Sequence, residues 1–190
     1  EKLFEEAAEQ QYNNPQKSLD LYKYLLKTNL KEESQFSVYL EQLHTYQILG
    51  QYSNAVEVKQ VLDNKIDNIN DKELLFRYWL ETTILYNSLD FTKETQNSIE
   101  KLEDRFNAMS VAQKDKYQNH LDYIRISFKT PTEEFDKLAS LKTIQSEWTG
   151  DVARNTWLSF KLAELYFEKD KDSSLFYLDK VLETQNHLLN

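Results

Sequence analysis

Residues 49–55 read LGQYSNA and separate two stretches in which apolar side chains recur every three or four positions. That spacing is typical of amphipathic helices, and before the turn it places Leu43 and Tyr46 on one stripe. Gly50 can adopt the left-handed conformation that ends a helix, and the small side chain of Ala55 lets two helix backbones approach closely. The stretch therefore predicts a helix, a tight turn and a second helix packed against the first.

Similar turns recur along the chain. Short turn signals followed by amphipathic segments occur about 37–40 residues apart, at Pro15, Tyr52, Phe91, Pro131 and Lys171. Two helices of about 16 residues and two short turns account for such a period. The sequence thus predicts a single repeat domain over residues 1–190, with approximate units 1–30, 31–69, 70–109, 110–149 and 150–190.

The turn at residues 49–55 resembles the turn of the tetratricopeptide repeat. In that family a Gly ends the first helix, an aromatic residue two positions later wedges between helices, and a small residue three positions further on allows close contact. Gly50, Tyr52 and Ala55 occupy these places, whereas Glu94 and Glu134 stand where the third and fourth units should have the small residue. Those two departures predict a looser helix pair or a shifted register. The resemblance implies an all-α fold, a right-handed α-solenoid of about five antiparallel helix pairs.

Composition agrees with a helical chain. Only 2 Gly and 2 Pro occur among 190 residues, and strands and long loops depend on both residue types for their turns. Hydrophobic residues make up 40% of the chain, which is enough for a buried core. An ordinary helical bundle would show the same apolar stripes and remains the alternative fold, but the repeated turn favours the array.

Charge and hydrophobicity narrow the partners. The net charge of -9 repels phosphate backbones and anionic lipid headgroups, so we expect no direct nucleic-acid binding. No apolar stretch approaches the roughly 20 residues that cross a bilayer, so we expect no membrane insertion. A cytoplasmic location is favoured, although a removed signal or lipoprotein segment would leave no trace in this sequence.

Chemical motifs do not assemble into a catalytic or metal site. Glu41 and His44 lie one helical turn apart, the spacing found in di-iron bundles, but such sites need a second copy and further carboxylates. Isolated Gly50 and Gly150 do not form a phosphate-binding loop, and the chain has no Cys. Most Asp and Glu residues alternate with Lys and are interpreted as solvated faces. We therefore expect no enzyme activity, no metal and no cofactor.

The family resemblance implies a ligand-binding concave face, lined by the first helix of each pair. The side chains that this resemblance places in the groove are Leu40, His44, Gln47, Trp79, Thr83, Tyr86, Asn87, Asn119, Tyr123 and Phe160, and Gln10, Phe76, Glu164 and Phe167 share the same offset. Aromatic rings would provide contact area, and the amides could grip a peptide backbone. Packing in the core is the alternative role of the aromatic residues.

The leading functional hypothesis is a non-catalytic scaffold that binds a protein or peptide. Family members that hold chaperone carboxylates carry a basic clamp at places occupied here by Leu40, His44, Trp79 and Thr83, so we expect no such clamp. A neutral or basic, partly apolar peptide suits an acidic scaffold better. The alternatives are a ligand-sensing domain of a larger bacterial signalling or transcriptional regulator, and an envelope-associated assembly scaffold.

The ends of the array offer a further surface. The terminal helices retain apolar residues such as Phe4, Leu178 and Leu182. A solenoid end without a polar cap must be covered or self-associate, so self-association through the terminal helices is an additional expectation.

Overall fold

The computed structural model describes residues 2–128, 134–147 and 152–189. The regular structure in these ranges is helical, which confirms the all-α prediction. The helices are α1 (Lys2–Asn13), α2 (Pro15–Leu26), α3 (Glu32–Ile48), α4 (Tyr52–Asp63), α5 (Lys72–Ser88), α6 (Thr92–Asn107), α7 (Val111–Phe128), α8 (Glu134–Glu147), α9 (Val152–Tyr166) and α10 (Lys171–Leu189), with one 3₁₀ turn at Ile66–Asn68.

Successive helices form pairs. Each approximate unit of the sequence holds two helices, from α1 with α2 to α9 with α10. The two members pack on each other in the first, second, third and fifth pairs. Because only a few residues connect the members of these pairs, their helices run antiparallel.

The packing divides the chain into two compact units, one that ends at Leu121 and one that begins at Asp122. The first unit contains α1 to α6 and most of α7, and the second contains the end of α7 with α8 to α10. No helix among the described residues is long and apolar enough to span a bilayer.

The turn between α3 and α4 has the predicted conformation. Gly50 lies at φ 65°, in the left-handed region, and Gln51 N donates to Tyr46 O at 2.9 Å across the turn. This bond satisfies one of the carbonyls that a helix end leaves without a partner. A Cβ added at Gly50 would meet no atom within 4 Å, so the glycine is needed for its backbone conformation rather than for space.

A small residue recurs where the second helix of a pair approaches the first. It is the fourth residue of α2, α4, α6 and α10, and these residues, Ser18, Ala55, Thr95 and Ser174, are all buried. A short side chain at this place lets the two helix backbones approach, as the sequence predicted for Ala55.

The assignment of Glu94 to this place is wrong. Helix α6 begins at Thr92, one residue after Phe91, so the register shifts by one position and buries Thr95 while Glu94 is exposed. Thr95 Oγ1 also donates to Phe91 O at 2.9 Å, which satisfies its hydroxyl inside the packed pair. The side chain of Glu134, and Pro131, lie outside the described residues.

Candidate functional site

Most side chains assigned to a groove lie on α3 and α5, but Leu40, Phe76 and Thr83 are buried. Leu40 on α3 and Thr83 on α5 have no exposed surface, and Thr83 Oγ1 donates to Trp79 O at 2.7 Å. A fully buried side chain cannot touch a ligand without rearrangement. Leu40 and Thr83 therefore pack the core between helices, which corrects their assignment to the groove.

His44 and Gln47 instead converge on Glu81, a carboxylate that was not among the predicted groove residues. His44 Nδ1 lies 3.1 Å from Glu81 Oε2, and Gln47 Nε2 donates to the same oxygen at 3.0 Å. On its other side, His44 Nε2 lies 3.2 Å from the hydroxyl of Tyr12. The imidazole on α3 thus connects α1 with α5.

A second carboxylate lies beside it on α3. Gln11 Nε2 on α1 donates to Glu41 Oε2 at 2.8 Å and lies 3.3 Å from Thr45 Oγ1, while Arg77 on α5 forms an ion pair with Glu41 Oε1. Burial tends to lower the pKa of the Arg77 guanidinium, but the Glu41 carboxylate outweighs it and raises that pKa above its ordinary value. The guanidinium therefore stays charged across the accessible pH range.

We call these interacting side chains the inner polar network. Its members are Gln11, Tyr12, Glu41, His44, Thr45, Gln47, Arg77 and Glu81. They lie on the first helices of three successive pairs and bind one another, so the network sets how α1, α3 and α5 align. It leaves little open surface for a ligand.

The interpretation of acidic residues as solvated is wrong for this network. Glu41 and Glu81 are only 9% and 6% exposed. The signal that could have revealed them is the distribution of apolar residues on α3 and α5, which surrounds each helix instead of forming one stripe. A helix that is apolar on all sides is covered on all sides, so its polar residues need buried partners.

Tyr86 of α5 packs on a separate ion pair of α4, formed by the buried Lys59 and the exposed Asp63. Lys59 Nζ donates to both carboxylate oxygens of Asp63, at 2.9 and 2.8 Å, and lies 5.1 Å from the centre of the Tyr86 ring. Burial tends to lower the pKa of Lys59, but hydrogen bonds to Asp63 and Tyr86 outweigh it and raise that pKa. Tyr78 also donates its hydroxyl to Asp63. Tyr86 therefore belongs to the packing of this pair.

In the compact unit that ends at Leu121, the remaining predicted groove residues do not form one continuous surface. Trp79 is partly buried, with its ring edge-on to Tyr78 and the two centroids 5.0 Å apart. Asn87 is partly exposed and uses its backbone carbonyl to accept from Asp90 N at 3.1 Å. Gln10 and Asn119 are half-buried, whereas Phe76 is fully buried.

In the compact unit that begins at Asp122, Tyr123 is buried. Its ring lies edge-on to Trp157, with centroids 5.2 Å apart, and packs on Phe128 at 6.0 Å. This aromatic cluster joins the end of α7 to α9. Tyr123 therefore has a packing role.

The other predicted groove residues of this compact unit are exposed and line one groove. Phe160 and Phe167 are 41% and 65% exposed, on α9 and just after its end, and they line a groove of about 320 Å³ between α9 and α10. We call it the α9–α10 groove; it is lined by Phe160, Ala163, Glu164, Phe167, Ser174 and Leu178. Leu175 and Leu182 of α10 are also exposed. The structure thus brings Phe160, Glu164 and Phe167 together at the α9–α10 groove, between the two helices of one pair, whereas the resemblance placed them on a concave face lined by first helices.

A larger hollow lies between α8, α9 and α10, with a volume of about 630 Å³. Its polar lining includes Gln145, whose Nε2 donates to Ser159 Oγ at 2.7 Å and to Asn155 Oδ1 at 3.3 Å. Lys142 Nζ lies 4.9 Å from the Tyr166 ring centre. Gln145, Asn155 and Ser159 thus bind one another at the wall of this hollow.

The described residues contain no group of three or more His, Asp or Glu side chains placed to hold a metal ion. Comparison with protein-family models, curated proteins and solved structures finds no significant match to the chain. The class that the structure defines is an all-helical protein with polar contacts between the first helices of successive pairs and an exposed apolar groove between α9 and α10.

Proposed function

We propose that the chain is a non-catalytic scaffold that binds a protein or peptide, built as a right-handed, tetratricopeptide-like solenoid of helix pairs. One recurring contact supports the repeat. Ser18 Oγ donates to Ala7 O at 2.8 Å in the first pair, and Ser174 Oγ donates to Ala163 O at 2.9 Å in the last. The same small residues thus hold the helices of both pairs together at the same relative positions.

The exposure of Phe160 and Phe167 carries the functional part of the proposal. Two phenylalanine rings two helical turns apart face solvent beside an apolar groove, although a folded chain normally buries such side chains. Aromatic anchors beside a groove are typical of surfaces that bind another chain. The inner polar network supports the same view, because its charged side chains, Glu41, Arg77 and Glu81, hold helices together.

Peptide display on the intact chain tests the proposal. A peptide library is selected on the wild type and on the double variant Phe160→Ala/Phe167→Ala, with Tyr24→Ala as the matched control. Tyr24 is 60% exposed on α2, outside the groove. We expect ligands that bind the wild type and Tyr24→Ala equally and the double variant at least about tenfold more weakly.

Circular dichroism should show that the double variant remains folded, because both substituted side chains are exposed. If every selected peptide binds the wild type and the folded double variant equally, the groove is not the binding surface and the proposed function is wrong.

A further inference from the structure

In the first helix pair, the face that corresponds to the α9–α10 groove is covered by α3. Val38 of α3 packs into the cleft between α1 and α2, against Ala7, Tyr22 and Leu25. All four side chains are buried. The chain itself therefore covers this kind of face with another helix, α3, packed into the cleft.

The groove is the same face of the α9–α10 pair, and no other helix among the described residues covers it. At one constant offset along the chain, Ala163, Ser174 and Leu178 correspond to Ala7, Ser18 and Tyr22. Leu178 is only partly buried, whereas Tyr22 is fully buried beneath α3. The apolar surface that α3 removes from water in the first pair thus stays in contact with water in the last.

One difference between the two faces specifies what the occupant carries. The same offset relates Gln11 to Phe167, and Gln11 binds the polar residues Glu41 and Thr45 of α3. Phe167 offers no hydrogen bond and presents a ring that is 65% exposed. A helix that fits here therefore carries apolar residues one and two turns after its counterpart of Val38, where α3 carries Glu41 and Thr45.

Charge specifies the rest of that helix. Glu164 lines the groove between the two phenylalanines with its carboxylate half exposed, and the chain has a net charge of -9. Lys161 Nζ lies 2.7 Å from Glu164 Oε2. Because both side chains are partly exposed, this ion pair is weak and does not keep Glu164 from attracting another cation. Lys or Arg on the flanks of an incoming helix would be attracted to this acidic chain.

Resting on the proposed function, we infer that the α9–α10 groove binds an amphipathic α-helix of a partner protein, apolar along one stripe and basic on its flanks. The helix would occupy the place that α3 occupies on the first pair. This mode differs from the grip of amide side chains on a peptide backbone that the sequence led us to expect on the concave face.

Selection from a randomised library of peptides of about 16 residues, enough for four helical turns, tests this mode. Peptides are selected on the wild-type chain and counter-selected on Phe160→Ala/Phe167→Ala. We expect enriched peptides with apolar residues at a spacing of three and four and an excess of Lys and Arg. Their helical circular dichroism should increase on binding, and their affinity should fall at least about tenfold in the double variant.

Two outcomes would overturn the inference alone. Groove-dependent peptides with alternating or proline-rich patterns would show an extended ligand and leave the proposed function standing. Dimerisation of the wild type in light scattering, abolished by Phe167→Lys, would show that a second copy occupies the groove. A library without any groove-dependent peptide would overturn the proposed function as well.

Discussion

Gly50 and Asp90 occupy the same left-handed backbone conformation, at φ 65° and 58°, at the ends of α3 and α5. The hydrogen bonds around them also match, since Gln51 N donates to Tyr46 O and Phe91 N to Tyr86 O, both at 2.9 Å. One turn is thus built twice in successive helix pairs, once with glycine and once with a residue that carries a Cβ.

The two turns should respond oppositely to exchange. Gly50→Ala should lower the free energy of unfolding by about 1 kcal/mol, because nothing crowds the new methyl group and only the positive φ is costly. Asp90→Gly should raise it by about 0.5–1 kcal/mol, because glycine adopts that φ without steric cost. Urea unfolding measures both, and a stabilising Gly50→Ala would contradict the conformation described for this turn.

The ion pair between Glu41 and Arg77 should show strong coupling. Glu41→Gln alone leaves a largely buried guanidinium without its anion and should cost about 2–3 kcal/mol, somewhat below a fully buried pair. Glu41→Gln with Arg77→Met should cost less than the sum of the two single variants, because neither charge is then left unpaired. Urea unfolding of the four proteins of this double-mutant cycle gives the coupling energy.

The surface pair of Lys17 and Glu6 provides the control for this cycle. Its atoms lie 3.1 Å apart, but both side chains are 47% exposed, so its coupling energy should stay below about 0.5 kcal/mol. Equal coupling energies for the two pairs would show that the inner polar network is not shielded from solvent.

Glu73 should make stability depend on pH. Burial tends to raise the pKa of its carboxyl, but Lys116 Nζ and Tyr117 OH, each 2.6 Å from Oε1, outweigh burial and lower that pKa. A lowered folded-state pKa contributes stability above the unfolded-state value and loses it as pH falls through the folded-state value. Glu73→Gln should therefore cost about 0.5–1 kcal/mol at pH 7, and the difference from wild type should shrink as pH falls below the unfolded-state pKa and vanish below the lowered folded-state pKa.

Urea titrations at several pH values measure this difference, with Glu100→Gln on α6 as the control. Glu100 is exposed, so its substitution should change stability by less than about 0.5 kcal/mol at any pH. A Glu73→Gln difference that grows as pH falls would contradict a lowered pKa of Glu73 in the folded state.

Phe167 should contribute little to folding although it is a large apolar residue. Phe167→Ala should change the free energy of unfolding by less than about 0.5 kcal/mol, because its ring is already 65% exposed. Leu162→Ala in α9 should cost about 2–4 kcal/mol, because Leu162 is fully buried. Thermal or urea unfolding of both variants measures these changes. A similar loss of unfolding free energy in the two variants would mean that Phe167 is covered in solution.

Local features of the fold could be predicted from the sequence. The turn at Gly50, the start of α2 at Pro15 and the buried Ala55 follow from backbone preference and side-chain size, which act over a few residues. The same pattern points to Glu94 instead of Thr95, one position too early, because α6 begins after Phe91 and not at it. Helix boundaries depend on capping, which the apolar pattern does not resolve.

The surface was harder to predict because it depends on neighbours. The offset that placed Leu40 and Phe160 on one kind of face was the same for both, yet Leu40 is fully buried and Phe160 is exposed. α3 has further helices packed on it, whereas the corresponding apolar face of α9 in the second unit has no helix over it among the described residues.

The sequence by itself determined the helices, the turns between them and the small residues at which paired helices meet, because these depend on local conformation. Only the tertiary structure decided that Glu41 and Glu81 are buried, with Glu41 paired to Arg77, and that Phe160 and Phe167 are left in water. A helix carries the same periodic pattern whether its apolar stripe is covered or open, so burial is decided by which helices pack against it.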